Sequence, residues 1–240
     1  MKTLLVTGGT GRLGRPTVDR LRAAGHSVRV LSRRTGPGVM TGDLTSGDGV
    51  AAAIDGVDLV VHLATGQGRR DVQQTRNLLT FTPRTTHVIY MSIVGIDQIP
   101  LAYYRYKLEA EHLVEAHPAH TILRATQFHD LLDQVFALKL PALFAPAIPL
   151  QPIATEDVAA RLTELVADPT PGRAPDIGGP ESHAVPDLAR LWKSARSSRR
   201  PVVPVRVPGK IFHAFAAGAA QVPGPPYGTI TFADYLAGKS

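Results

Sequence analysis

Short runs of apolar residues alternate with segments of helical periodicity along the first 140 residues. The runs are rich in Val, Leu and Ile and predict buried strands. They are residues 3–7, 27–32, 57–64, 87–92 and 120–124, with a short further strand near Val39 and Met40. The segments between the runs predict helices. They are residues 12–24, with Leu13, Val18 and Leu21 on the inner side, and about 46–55, 70–82 and 101–116.

This order of elements predicts an α/β protein, because strands separated by helices form parallel sheets that helices cover on both faces. The alternation weakens after residue 140, and fifteen of the twenty prolines lie at or after Pro141. We therefore expect a doubly wound parallel sheet over residues 1–140 and a smaller, intertwined C-terminal lobe over residues 141–240, within one compact protein. The helices predicted in the lobe begin at Thr155 and cover about 185–196 and 208–219.

Composition is that of a globular protein with a substantial core. Of 240 residues, 44% are hydrophobic and 19% are charged. No apolar run reaches the roughly 18 residues of a membrane span, and the N-terminal run predicts a strand rather than a signal peptide. The absence of cysteine excludes disulfides, thiolate metal sites and cysteine nucleophiles, and it favours a cytoplasmic location. The histidines show no metal-ligand spacing, so no metal site is predicted.

The positive charge of the chain is concentrated near its C-terminus. The net charge is +6, and residues 171–240 contribute nine basic against four acidic residues. The densest cluster is Lys193, Arg196, Arg199 and Arg200, at the end of a predicted helix. Cations are favourable at a helix C-terminus, and the aromatic residues typical of nucleic-acid surfaces are missing. Binding of nucleic acid is therefore not favoured.

A glycine-rich turn directly follows the first predicted strand. Gly8, Gly11 and Gly14 are spaced three apart, with Thr10, Arg12 and Leu13 among them, and a predicted helix follows. Such glycines permit a tight turn, a close approach of backbone to pyrophosphate, and close packing of helix on strand. The helix N-terminus then offers N–H groups to a phosphate. The pattern predicts a dinucleotide site, the alternative being a purely structural turn.

The end of the second predicted strand favours NADP(H). NAD sites usually carry a carboxylate there that binds the ribose hydroxyls. This chain has Ser32, Arg33 and Arg34 instead, and guanidinium groups suit a 2′-phosphate. The alternative is that both arginines are exposed loop cations. Asp43, followed by Leu44, is either an adenine contact or a turn cap.

Together these motifs resemble an atypical short-chain dehydrogenase/reductase of the NmrA-like, NAD(P)H-binding, epimerase-like branch. Further segments of the chain match the family in the same order. They are Asp43-Leu44 at the adenine site, His62-Leu63-Ala64-Thr65 beside the cofactor, Tyr90 to Gly95 around Ser92, and the Tyr-x-x-x-Lys motif of Tyr103 and Lys107. The resemblance covers residues 1–130 well and implies a Rossmann-type fold.

The resemblance implies that Ser92, Tyr103 and Lys107 form a catalytic set. Tyr103 would exchange a proton with a substrate oxygen during hydride transfer, with Lys107 favouring the phenolate and binding the nicotinamide ribose. Ser92 would bind the same oxygen. Two alternatives stay open: Tyr104 takes the role, or the helix is only an amphipathic packing helix with Lys107 directed outward. His62 is expected to be structural or to line the cofactor.

The predicted substrate contacts are Gln127, Phe128 and His129, which follow the sixth strand. Residues 141–154 are apolar and interrupted by proline, and they form either a wall or lid over the nicotinamide or a core-packing linker. These features favour an NADP(H)-dependent oxidoreductase acting on an apolar carbonyl or quinone-type small molecule. The alternatives are a non-catalytic NADP(H) sensor and a sugar-nucleotide epimerase or dehydratase. A homodimer or a protein partner stays open.

Overall fold

The computed structural model describes residues 1–36, 38–66 and 68–239. The strands of these residues are β1 (Thr3–Thr7), β2 (Ser27–Ser32), β3 (Val39–Thr41), β4 (Leu59–His62), β5 (His87–Ile93), β6 (His120–Ala125), β7 (Leu143–Pro146), β8 (Pro149–Leu150), β9 (Gly172–Arg173), β10 (His183–Ala184) and β11 (Val202–Val205). The helices are α1 (Gly14–Ala23), α2 (Val50–Ile54), α3 (Arg69–Phe81), α4 (Ala102–Glu115), α5 (His129–Ala137), α6 (Thr155–Ala167), α7 (Val185–Ala195), α8 (Lys210–Ala216) and α9 (Phe232–Ala237). The strands and helices predicted in the first 125 residues are all present, with small shifts at their ends.

The chain forms two compact units, each built from three stretches. Unit 1 consists of Met1–Ser92, Ala102–Arg124 and Val158–Pro175, and unit 2 consists of Ile93–Leu101, Ala125–Asp157 and Asp176–Ser240. The single boundary that we expected at residue 140 does not describe these units. The chain passes from one unit to the other five times, so neither unit is a continuous range.

A seven-stranded parallel sheet of Rossmann type carries unit 1. Its strand order is β3-β2-β1-β4-β5-β6-β9, which confirms the predicted fold class. In β1, Thr7 pairs with Leu31 of β2 and with His62 of β4. The carboxyl ends of these three parallel strands therefore lie side by side. The glycine turn, the Ser32 segment and the Leu63 segment consequently meet at one edge of the sheet.

Apolar packing of helices against the sheet holds unit 1 together. Leu5 and Val60 of adjacent strands pack with α2 and α3 in one buried cluster, and Tyr90 packs with Ala110 and Val114 of α4 in another. Leu13, Val18 and Leu21 are buried, as predicted for the inner side of α1. Such burial of a Leu or Val side chain contributes about 1.5–3 kcal/mol.

Unit 2 incorporates the proline-rich segment 141–154 into its own packing. β7 pairs in parallel with β11, and β8 pairs antiparallel with β10. Leu143, Ala145, Ile148, Leu150 and Ile153 are buried. Within unit 2 the segment therefore packs as the core-packing alternative requires. We did not predict α5, β7 or β11; β7 and β11 have four residues each, which is too few to show a period.

Candidate cofactor and active site

A cleft of about 1050 Å³ opens where the carboxyl ends of β1, β2 and β4 meet. Most of the predicted cofactor-binding residues line it. They are Gly8, Thr10, Gly11, Ser32, Arg33, Arg34, Asp43, Leu44, Leu63, Ala64 and Thr65. Ligands of open α/β sheets bind at this edge. Motifs that lie far apart in the chain therefore meet in one cleft.

The glycine turn combines backbone strain with close packing. Gly8 has a φ of +70°, and a Cβ there would lie 2.7 Å from the backbone nitrogen of Ala64. A Cβ at Gly14 would lie 2.1 Å from the carbonyl oxygen of Gly8. Gly14 therefore allows α1 to approach the turn and lies outside the cleft lining, as do Arg12 and the buried Leu13. The predicted contacts of these three residues with the cofactor stay predictions.

Arginines give the cleft a positive lining. Among the described residues, the side chains of Arg33 and Arg34 make no hydrogen bond or ion pair, and both are exposed. The Oγ of Ser32 accepts a hydrogen bond from the backbone nitrogen of Arg34 at 3.1 Å, which leaves its own proton available. The carboxylate of Asp43 accepts from the nitrogen of Thr45 at 2.8 Å. Asp43 is thus a turn cap, as one of the two predicted alternatives requires.

Sequence reasoning missed two further arginines of the cleft. Arg15 and Arg70 are each the second residue of the helix that follows a strand of this edge, and both line the cleft. The Nε of Arg15 also donates to the carbonyl oxygen of Thr10 at 3.1 Å. A cation in the first turn opposes the helix dipole. A cation at this unfavourable position is a signal that the sequence offers. It could have identified Arg15 and Arg70 as candidate anion ligands.

His62 is a buried structural residue of β4. Its Nδ1 lies 2.7 Å from Oγ1 of Thr7, and its Nε2 lies 3.1 Å from Oγ1 of Thr75. Burial, and to a smaller extent the positive charge of Lys107, lower the pKa of His62 to about 3. A neutral imidazole has one donor and one acceptor, which matches two hydroxyl partners. Of the two roles expected for His62, the structure supports the structural one.

Asp71, in the first turn of α3, fixes the loop after β4. It is 2% exposed and accepts hydrogen bonds from the backbone nitrogen of Gly66 at 2.6 Å and from Oγ1 of Thr65 at 2.8 Å. A buried carboxylate needs several donors to offset its lost hydration. Sequence analysis did not single out Asp71, although an acid in the first turn of a helix is a recognisable signal.

Tyr103 reaches this same loop from α4. Its hydroxyl lies 3.2 Å from Oγ1 of Thr65, which lines the cleft. Burial raises the pKa of Tyr103, although the Lys107 ammonium lowers it in part. Lys107 thus lowers the pKa of Tyr103, as expected. Burial raises this pKa by more, so Tyr103 is mainly in its neutral phenol form. Tyr104 is buried, with 7% exposed, so the structure distinguishes the two tyrosines.

Lys107 lies one turn after Tyr103 and is buried rather than directed outward, with 5% exposed. Its Nζ lies 4.4 Å from the ring centroid of Tyr90 in a cation–π contact. Tyr90 and Ser92 occupy the same face of β5. The Oγ of Ser92 is buried and has no hydrogen-bond partner among the described residues. Ser92 therefore keeps a donor and an acceptor that no described residue uses.

The three predicted substrate residues, in unit 2, have different environments. The amide oxygen and nitrogen of Gln127 are buried and lack a partner within the described ranges. Phe128 is half-buried beside Ile153, with which it forms a parallel bridge. His129 is fully buried and its Nε2 donates to the carbonyl oxygen of Ile230 at 3.0 Å. One side of the His129 ring thus packs against the C-terminal segment, whereas its Nδ1 is buried without a partner in the described ranges.

Metal sites and membrane-spanning helices were both sought among the residues that the structure describes. No group of three or more His, Asp or Glu side chains is placed to hold a metal ion. No helix among them has the length and apolar character needed to cross a membrane.

The sequence around the glycine turn and the cleft matches a known protein family. A family model described as NAD(P)H-binding matches residues 8–169, which is more than half of the chain. The chain belongs to this NAD(P)H-binding family. The match begins at Gly8 and includes every residue of the cleft described above. It confirms that the cleft region is of a type that binds a nicotinamide nucleotide.

Relatives of known name support the same superfamily. The chain is 30% identical over 122 residues to mouse epimerase family protein SDR39U1, covering 45% of this chain and 40% of that protein. It is 38% identical over 68 residues to a 3-beta-hydroxysteroid dehydrogenase of Mycolicibacterium neoaurum, covering 25% of this chain and 19% of the other. The chain thus matches less than half the length of these relatives.

Solved structures share the fold over nearly the whole chain. A nucleoside-diphosphate-sugar epimerase from Staphylococcus aureus has a TM-score of 0.81 at 17% identity, covering 98% of this chain and 99% of that one. The NADPH-dependent quinone oxidoreductase QOR2 of Escherichia coli, complexed with NADPH, has a TM-score of 0.79 at 16% identity with the same coverage. These comparisons confirm the resemblance to the atypical short-chain dehydrogenase/reductase superfamily, and they establish the fold rather than the substrate.

Proposed function

We propose that the protein is an NADP(H)-dependent oxidoreductase that transfers hydride between the nicotinamide and an apolar carbonyl or quinone-type compound. The observation that carries this proposal is the contact between Tyr103 and Thr65. It holds an acidic hydroxyl against a residue of the cleft lining, in a family that binds NAD(P)H. A protein that only sensed the cofactor would need the phosphate contacts and no such hydroxyl.

The preference for NADP(H) rests on the end of β2. Arg33 and Arg34 have side chains without partners in the described part of the chain, and Ser32 retains a free hydroxyl proton. Asp43, the one carboxylate of the lining, is engaged with its own turn. We infer that the two guanidinium groups bind the 2′-phosphate and that Arg15 and Arg70 add positive charge for the other phosphates.

The chemistry follows from the groups around Tyr103. When bound, the reduced nicotinamide supplies a hydride to the carbonyl carbon and is oxidised. A substrate oxygen that replaces Thr65 as hydrogen-bond acceptor receives the proton of Tyr103, which completes reduction to the alcohol. The Lys107 ammonium, one turn away, stabilises the tyrosinate that this transfer leaves. Ser92 offers the substrate oxygen a second donor.

Gln127 is the substrate contact that the structure supports best in unit 2. Both polar atoms of its amide are buried without a partner in the described ranges. Leaving one such group unpaired costs about 1–3 kcal/mol. We infer that a polar group of a ligand bound within unit 2 satisfies this amide.

The test is NADPH oxidation with a panel of quinones, aldehydes and ketones, comparing the wild type with Tyr103→Phe and Tyr104→Phe. Reduction of carbonyls that is lost in Tyr103→Phe and retained in Tyr104→Phe supports the proposal. Turnover that survives in both variants, as is expected for quinones that need no proton donor, would assign hydride transfer without Tyr103. Tight NADPH binding without turnover across the panel would favour the sensor alternative.

A further inference from the structure

A second cavity, of about 470 Å³, lies within unit 2. Its lining is formed by residues 146–148 after β7, by residues 205–209 after β11, and by Phe212, His213 and Ala216 of α8. It shares no lining residue with the cleft of unit 1. Cavities of about 300–1,000 Å³ with mostly apolar walls are typical of small-molecule sites.

The cavity forms where the parallel ladder of β7 and β11 ends. Val205 pairs with Pro146, and the next backbone nitrogen, that of Ala147, donates to the carbonyl oxygen of Val205 at 3.1 Å. The chain then turns through Gly209, which has a φ of +119°, and continues as α8. No side chain of α8 is fully buried, and Phe212 on its inner side is only half-buried. The helix therefore leaves apolar surface beside the cavity that a ligand could cover.

The two stretches of sequence that contribute the lining contain basic residues and no acidic ones. The sequence has no Asp or Glu in residues 134–155 or in residues 188–233, whereas the second range contains seven Lys or Arg residues. Arg206 lines the cavity, and its guanidinium makes no hydrogen bond or ion pair with any described residue. His213 is the other ionisable group of the lining and is likewise without a side-chain partner there. The charge complementarity therefore calls for an anion.

We propose that this cavity binds a small apolar carboxylic acid. The hydrocarbon part would lie among Ile148, Val205 and Phe212, and the carboxylate would bind Arg206. One guanidinium matches one carboxylate through two parallel hydrogen bonds, whereas a diphosphate would call for more cations than this lining has. This binding activity is additional to the proposed reduction reaction and does not depend on it.

The proposal is tested by calorimetric titration of the full chain with decanoate and with decan-1-ol, which differ in the acid group. Decanoate is expected to bind about fivefold more tightly than decan-1-ol, because an ion pair with an exposed guanidinium contributes up to about this factor. Arg206→Ala should reduce the affinity for decanoate to that for decan-1-ol. Lys210→Ala is the matched control, since Lys210 is an exposed cation of α8 outside the lining, and it should leave the affinity unchanged.

A further variant tests the location. Ala147→Phe places a ring in the cavity and should abolish binding of both ligands, and Ala216→Phe does the same from α8 if the first variant fails to fold. Thermal unfolding identifies the variants that fold. The proposal would be overturned if the protein bound neither ligand, or bound the acid and the alcohol with equal affinity. It would also be overturned if Lys210→Ala lost as much affinity as Arg206→Ala, or if a folded cavity-filling variant bound as the wild type does.

Discussion

The hydroxyl oxygen of Tyr103 lies 3.2 Å from Oγ1 of Thr65. The same Oγ1 lies 2.8 Å from Oδ1 of Asp71. A threonine hydroxyl has a single proton, and a carboxylate can only accept. Thr65 therefore donates to Asp71 and accepts from Tyr103, so the Tyr103 proton is directed to the edge of the cleft. Asp71 acts on Tyr103 only through Thr65 and is a positioning residue.

This arrangement predicts the effect of removing the Thr65 hydroxyl. Thr65→Val removes the hydrogen bond that orients Tyr103 before the substrate oxygen replaces Thr65 as acceptor, and we expect kcat for the reduction of a carbonyl compound to fall about tenfold, which corresponds to the loss of one orienting hydrogen bond. Thr65→Ser keeps the hydroxyl and is the matched control. Steady-state kinetics at saturating NADPH measure the effect. Equal kcat values for the two variants would show that Thr65 does not position Tyr103.

The arginines at the end of β2 predict the selectivity for the cofactor. We expect Arg33→Ala combined with Arg34→Ala to lower the ratio of NADPH affinity to NADH affinity by about tenfold or more, because only NADPH carries the 2′-phosphate. The affinities are measured by titration of the fluorescence of each reduced cofactor. Arg20→Ala combined with Arg84→Ala is the control, since both are exposed arginines outside the cleft lining. An unchanged ratio in the first double variant would disprove the assignment of the 2′-phosphate site.

Burial of His62 predicts how stability depends on pH. The folded protein keeps its imidazole neutral down to about pH 3, whereas in the unfolded chain it titrates at its ordinary value of 6.5. As the pH falls, the unfolded state therefore binds the extra proton before the folded state does. The contribution of neutral His62 to folding stability is present above pH 6.5 and is lost as the pH falls towards 3. Between about pH 7.5 and about pH 5 the wild type should lose about 2 kcal/mol more of its unfolding free energy than His62→Gln.

Urea unfolding at several pH values measures this difference. His26, His87 and His129 also have pKa values that burial lowers, but they are present in both proteins and cancel in the comparison. Glutamine keeps a donor and an acceptor for Thr7 and Thr75. If the unfolding free energies of the wild type and His62→Gln changed with pH in parallel, His62 would gain its proton in the folded state over this pH range.

Alanine substitutions at two glycines of the turn are expected to affect different properties, stability in one case and cofactor binding in the other. A Cβ at Gly14 would meet backbone atoms at 2.1 Å and 2.6 Å, so Gly14→Ala should destabilise the protein by about 2–3 kcal/mol. A Cβ at Gly11 would meet only the carbonyl oxygen of Gly8 at 3.1 Å. Gly11→Ala should cost less than about 1 kcal/mol yet weaken NADPH binding, since Gly11 lines the cleft. Unfolding curves and cofactor titrations of both variants separate the two roles, and equal stability losses would contradict this division.

Local pattern predicted the part of the fold that depends on neighbours in sequence. The apolar run Thr3–Thr7, the glycines after it and the helical spacing of Leu13, Val18 and Leu21 each act within a few residues, so periodicity and turn chemistry suffice to recognise them. Short elements such as β7 and β11 were missed. Each has only four residues, and its stability comes from pairing with a strand almost 60 positions away.

The same distinction applies to the candidate site. The chain's own residues indicated a nicotinamide-nucleotide site, because a glycine turn that directly follows a strand carries its chemistry locally. Only the tertiary structure decided which of two adjacent tyrosines reaches Thr65, that Lys107 is buried against Tyr90, and that His129 packs against the C-terminal segment. The reason is that burial and the hydrogen-bond partners of a side chain depend on residues distant in sequence, which no local pattern specifies.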